Sequence, residues 1–183
     1  MLEPLALAHE YMTVVKPARS PLLITSPDPR LKYFDGPTRT AWATVFKSPD
    51  LAAVRERYPH AVAIIGAMHK AGVNILPGTD VSEPYCMPGF SLHDELRRFV
   101  DAGVSAMDAL RSATYKPAQF LGLLDTMGTI EAGKMSEMVL LDANPLDDIG
   151  NTTRINMVFT GGRMYSRTVL DSILAAVEKN ALN

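Results

Sequence analysis

The sequence predicts an α/β protein, on three observations. Residues 60–71 place Val62, Ile65 and Met68 at helical spacing, and Gly72 suits the stop that follows. The short apolar run Val73-Asn74-Ile75-Leu76 then reads as a buried strand, ended by Pro77-Gly78-Thr79-Asp80. A parallel α/β sheet delivers an acid to its carboxyl edge in this way, and ligands gather at that edge. Finally, residues 136–166 lose the helical spacing and read as part of a small β-layer.

Bulk properties narrow the class. With 183 residues, 47% hydrophobic and 21% charged, the chain has the composition of an ordinary globular protein. A formal net charge of −2 gives no footprint for nucleic acid or acidic lipid. No apolar stretch approaches the roughly 20 residues that span a bilayer, and residues 2–7 are too short for a signal-peptide core. The expectation is therefore no nucleic acid and no membrane. The single cysteine, Cys86, excludes an internal disulfide framework and fits a reduced, cytoplasmic setting.

Taken in order, residues 5–15 suit a helix, and Pro17, Pro21, Pro27, Pro29 and Pro37 then interrupt the chain up to Thr40. Leu22-Leu23-Ile24-Thr25 inside that stretch suits one buried strand. Ser48-Pro49-Asp50 predicts a helix start, with Ser as N-cap and Pro in the first turn; that helix runs to about Tyr58, before Pro59. A second helix covers 60–71. The loop 81–90 leads to Ser91-Leu92-His93-Asp94, a capping box opening a helix whose apolar face is Leu92, Leu96, Phe99 and Val100. Ser105-Ala106-Met107-Asp108 repeats the box and opens a helix to about Thr114. Residues 117–121 add a helical turn, closed by Gly122. Met138-Val139-Leu140-Leu141 predicts a buried strand, and 155–160, Gly161-Gly162 and 163–166 predict a hairpin. Residues 169–182 close the chain as an amphipathic helix carrying Leu170, Ile173, Leu174 and Val177.

Asp80 is the leading candidate for chemistry. A carboxylate at a strand's carboxyl end can ligate a divalent cation or take a proton from metal-bound water, although caps and turns explain most such residues. A catalytic metal site needs about three protein ligands. The histidines are His9, His60, His69 and His93, and they form neither His-x-His nor His-Glu-x-x-His. His60 and His69, nine apart, read as surface or satisfied residues. His93 opens a helix across the loop from Asp80, so it is either a substrate contact at the same mouth or a polar helix-start residue. Cys86 has no recognisable base, Ser91 reads as a cap, and Asp147-Asp148 reads as a solvated turn.

Ala71-Gly72-Val73 through Leu76-Pro77-Gly78-Thr79-Asp80 resembles the last barrel strand of the amidohydrolase superfamily. Pro88-Gly89-Phe90-Ser91-Leu92-His93-Asp94-Glu95-Leu96 resembles the helix start after it, and Ala109-Leu110-Arg111-Ser112-Ala113-Thr114 with Pro117-Ala118 resembles its next helices. Gly128-Thr129-Ile130-Glu131-Ala132-Gly133-Lys134 and the run from Met138 to Leu146 are similar to the return into a β-sandwich domain. The likeness is to the imidazolonepropionase-like and Xaa-Pro-dipeptidase-like members.

This resemblance implies the C-terminal part of a (β/α)8 TIM-barrel metallohydrolase plus part of a β-sandwich. Residues 1–125 would belong to the barrel, 126–167 to the sandwich and 168–183 to a C-terminal helix. It implies hydrolysis of C–N bonds in small amides or dipeptides with one or two divalent metals, often zinc. Asp80 would be metal ligand and base, and His93 a substrate contact. The family's His-x-His, its bridging Lys or carboxylate and its two later histidines are missing, and Ser136-Glu137 stands where Ala-Asp is usual. A full barrel takes about 250 residues. The expectation is a fragment inactive alone, with a homo-oligomer or second chain completing it. The alternative is a non-catalytic subunit or remnant that docks on a partner carrying the missing ligands.

Overall fold

The computed structural model describes residues 28–45, 51–81 and 83–182. Helices come first: a 3-10 turn at Pro29–Tyr33, then α1 (Gly36–Val45), α2 (Leu51–Lys70), α3 (Ser91–Asp101), α4 (Ala106–Ala113) and α5 (Tyr115–Phe120). Strands follow: β1 (Met138–Leu141), a second 3-10 turn at Ile149–Thr153, β2 (Ile155–Thr160) and β3 (Arg163–Ser166), with α6 (Arg167–Ala181) last. The three strands form one antiparallel sheet in the order β1-β2-β3.

The core sits where α3 meets its neighbours. Ile65 of α2, Leu96 and Phe99 of α3, Val104, Ala109 of α4 and Ile149 of the second 3-10 turn form one buried cluster. Each of the larger side chains among them contributes on the order of 1.5–3 kcal/mol by leaving water. Ile149 ties the β-layer into the helical core. Close approach of α2 to α3 depends on Gly66, because a Cβ there would collide with the Ala102 carbonyl at the end of α3.

Local chemistry explains several element ends. Ser105 accepts the Asp108 backbone N–H at 3.1 Å, the first half of the expected box. Gly72, at φ +78°, closes α2: its own N–H donates to the His69 carbonyl and that of Val73 to the Met68 carbonyl, at 2.9 and 3.0 Å. Gly161 and Gly162, both at positive φ, turn β2 into β3 with Thr160 opposite Arg163, as the Gly-Gly pair predicts.

Several expectations are corrected. Residues on either side of Pro59 form the single helix α2, since Pro59 is exposed and costs that helix one hydrogen bond without ending it. The Ser91 hydroxyl caps nothing in α3. It accepts the N–H of fully buried Met87 at 2.7 Å, a donor that water does not reach. Leu92 is 39% exposed, at the rim of the α3 apolar face.

Residues 73–76 belong to no helix or strand: among the described residues no segment pairs with them, so they form no ladder. The coarse α/β reading therefore holds with three strands, all in the C-terminal layer. β1 is not buried: Val139 and Leu140 are 53% and 51% exposed. α6 buries no residue fully. It touches the first 3-10 turn, where Lys32 and Glu178 pair at 2.8 Å, and the Arg167 guanidinium donates to the Ile155 carbonyl at 2.9 Å. The expected elements at 5–15, 22–25 and 48–50, and His9, lie outside the described residues.

Gly66→Ala tests the α2–α3 contact. Alanine favours a helix by about 1 kcal/mol over glycine, but overpacking against a backbone carbonyl costs roughly 1–3 kcal/mol. Thermal unfolding is expected to show a net loss of stability; an unchanged midpoint would mean that the contact gives way enough for the helix propensity of alanine to offset the clash.

Candidate functional site

Asp80 stands at the end of a segment anchored from two sides. Ile75 packs against the buried cluster, and the Lys116 ammonium of α5 donates to the Asn74 side-chain carbonyl. The chain then bends. Asp80 has φ +54°, a left-handed conformation that costs a non-glycine residue on the order of 1–2 kcal/mol. Asp tolerates it better than most residues. The Asp80 carbonyl accepts the Glu83 N–H at 3.0 Å, and the Glu83 carbonyl accepts the Cys86 N–H at 2.9 Å. Two consecutive tight turns therefore lead from Asp80 into the loop, and Tyr85, at φ +66°, packs on Trp42 of α1 at 5.3 Å.

Beneath this bend lies a carboxyl that sequence reading did not single out. Glu95 of α3 is 6% exposed, and its Oε1 accepts the Gly78 N–H at 2.9 Å. Its Oε2 is buried with no hydrogen-bond partner among the described residues. Burial pushes Glu95 up to about 7, and the Gly78 N–H only partly opposes the rise. The signal was present in the chain: Glu95 falls three residues after Leu92 and four before Phe99, on the stripe otherwise reserved for apolar residues.

His93 takes a different direction. Two residues from Glu95, at about 100° per residue, it lies on nearly the opposite side of α3. The Thr152 hydroxyl donates to the Ile149 carbonyl at 2.8 Å, so its lone pair meets His93 Nδ1 at 3.0 Å. With the hydroxyl turned that way Nδ1 is the protonated nitrogen; in the other tautomer the hydroxyl donates to Nδ1 instead. Burial holds His93 below the usual histidine range; the Arg97 and Arg30 charges add to this and Asp94 opposes it. The structure thus joins the Asp80 bend to Glu95, and sends the His93 ring to the second 3-10 turn.

The proline-rich approach supplies a further cluster. Asp28, buried, caps the first 3-10 turn by accepting the Arg30 N–H at 2.9 Å. The Arg30 guanidinium returns to both Asp28 oxygens and donates to Asp94 Oδ2 at 2.6 Å. Burial raises Asp28, but hydrogen bonds from Arg30 and its charge outweigh this and hold the carboxyl below its ordinary range. An Asp before Pro is a cap signal as well as a breaker signal, which makes this turn legible in hindsight.

Among the described residues, no group of three or more His, Cys, Asp or Glu side chains is placed to hold a metal ion. These residues alone do not fit a catalytic metal, which takes about three protein ligands. Nor is any helix among them long and apolar enough to cross a membrane.

Comparison with known proteins places these elements. Residues 42–165 match the amidohydrolase family. The chain is 34% identical over 122 residues to the imidazolonepropionase of Thermoplasma acidophilum, covering 63% of this chain and 28% of that protein. It is 38% identical over 74 residues to the N-acetylglucosamine-6-phosphate deacetylase of Caenorhabditis elegans, covering 40% of this chain and 16% of that protein. A crystal structure of a Xaa-Pro dipeptidase with methionine bound superposes with a TM-score of 0.57 at 27% identity, over 71% of this chain and 34% of that one. The chain thus spans about a third or less of the length of these relatives.

Glu95 makes stability depend on pH. Its folded-state value of about 7 lies above the ordinary 4.5, so the folded state binds the extra proton between them. Its contribution is whole below about pH 4.5 and is lost as pH rises through about 7, a change of order 3 kcal/mol. Urea unfolding at pH 5 and pH 8 is expected to show this loss, and Glu95→Gln to remove most of it.

Proposed function

Since this chain belongs to the amidohydrolase family, we propose that it is part of a metal-dependent hydrolase cleaving C–N bonds of small amides or dipeptides. The observation that carries this reading is the acid-bearing bend at Gly78-Thr79-Asp80. It lies inside the family match, in a backbone conformation that a non-glycine residue rarely adopts. Strained backbone of this kind gathers at functional sites. Two similar proteins are named as a dipeptidase and a deacetylase, which favours amide-type substrates.

In this reading Asp80 is the base, taking a proton from the attacking water, and also one metal ligand. The divalent ion the resemblance implies, zinc in most members, would need its other ligands from outside the described residues. The expected substrate contact at His93 draws no support from its placement, since the ring turns to Thr152 and away from the Asp80 bend. Residues 1–125 form the last portion of a TIM barrel, 126–167 part of a β-sandwich and 168–183 a closing helix. The change from helices to an antiparallel layer at β1 supports that division. The chain alone is inactive in this reading, and works in the cytoplasm.

A second reading has the chain docking, as a non-catalytic subunit, on a partner that supplies the other ligands. Exposed apolar side chains at Ile130, Val139, Leu140 and Met164 favour a covering surface of this sort.

Asp80→Asn in the full-length protein loaded with zinc is expected to lower turnover of a dipeptide such as Met-Pro roughly 10²–10⁴-fold and to weaken zinc binding, while the zinc-free protein keeps its unfolding midpoint. Turnover equal to the parent protein would remove Asp80 from the mechanism. Activity that survives exhaustive chelation would remove the metal.

A further inference from the structure

We propose that Glu95 is a positioning residue for Asp80: its carboxyl, fixed inside α3, holds the Gly78 N–H and so keeps the chain bent into the left-handed conformation at Asp80. The geometric part stands by itself, and its catalytic meaning rests on Asp80 being the base. Three features carry it. First, Glu95 sits next to Leu96 and four residues before Phe99, both buried, so the helix beneath it cannot shift without opening the core. Second, Oε1 makes one hydrogen bond, to a backbone N–H two residues before Asp80. Third, Asp80 holds a backbone conformation that persists only where its surroundings enforce it. The turn closed by Glu83 fixes the bend on its far side, and Glu95 fixes it on the near side.

A buried acid whose second oxygen has no hydrogen bond among the described residues is a poor device for stability. An apolar residue of the same size commonly serves a core as well or better. That mismatch separates positioning from packing. Glu95→Met fills the same space and removes the acceptor, whereas Glu95→Gln keeps an acceptor for Gly78. Burial that raises Glu95 to about 7, so that much of it stays protonated below neutral pH, agrees with Gln as the faithful substitute.

The test reads the chain by NMR and thermal unfolding and needs no turnover. In Glu95→Met, the unfolding midpoint is expected to stay level or rise. Amide exchange at Gly78 is expected to speed up roughly tenfold to a hundredfold, and the Asp80 Cα and Cβ shifts to leave their left-handed values. Glu95→Gln is expected to restore both signatures. Unchanged Asp80 shifts in Glu95→Met overturn the proposal. So does a Gln variant that behaves like Met, or an acceleration of exchange shared by the buried amides of α4. Failure of the functional reading looks different: Asp80→Asn then keeps its turnover while the Glu95 signatures stand.

Discussion

Rotation along a helix is the constraint from which this structure follows. Consecutive residues turn by about 100°, so four neighbours at the start of α3 reach four different surroundings. His93 meets Thr152 of the β-layer, Asp94 meets Arg30 of the proline-rich approach, Glu95 meets Gly78 below the Asp80 bend, and Leu96 enters the core. One short helix thereby fixes the bearings of several described segments around the candidate site. The apolar half of the helix makes this rigid, since Phe99 and Leu96 are packed on by residues from α2, α4 and the second 3-10 turn.

How much of this the chain disclosed depended on whether the signal was local. The Ser105 cap, the Gly72 stop and the Gly161-Gly162 turn are settled within a few residues, and each stands where the sequence put it. The family itself was legible for a related reason: its motifs occur in fixed order from residue 71 to 146, and the match spans 42–165. Asp80 was legible as an acid after an apolar run, but its left-handed backbone was not, because that conformation is imposed by the turn to Glu83 and by a helix fifteen residues on.

What local reading missed was decided at long range. Ser91 has the sequence of a cap, yet the unmet N–H of buried Met87 claims its hydroxyl. Pro59 has the sequence of a stop, yet its exposure lets the helix carry on. An apolar tetrad at 138–141 suggests burial, but a strand is only as buried as the layer laid over it, and the described residues leave β1 half open. The segment 73–76 shows the same dependence, for an apolar run becomes a strand only with a neighbour to pair with, and among the described residues it has none.

The Ile149–Thr153 turn has a mechanical consequence. It drives Ile149 into the helical core and receives the His93 ring, so the β-layer is clamped to the helices at a point well beyond the exposed connection between them. Ile130 in that connection is 83% exposed, which makes this stretch the natural place for a protease to cut. A nick there severs the covalent path and leaves the clamp. The two pieces would travel together through a sizing column as a noncovalent pair, and would part only when denaturant loosens the core.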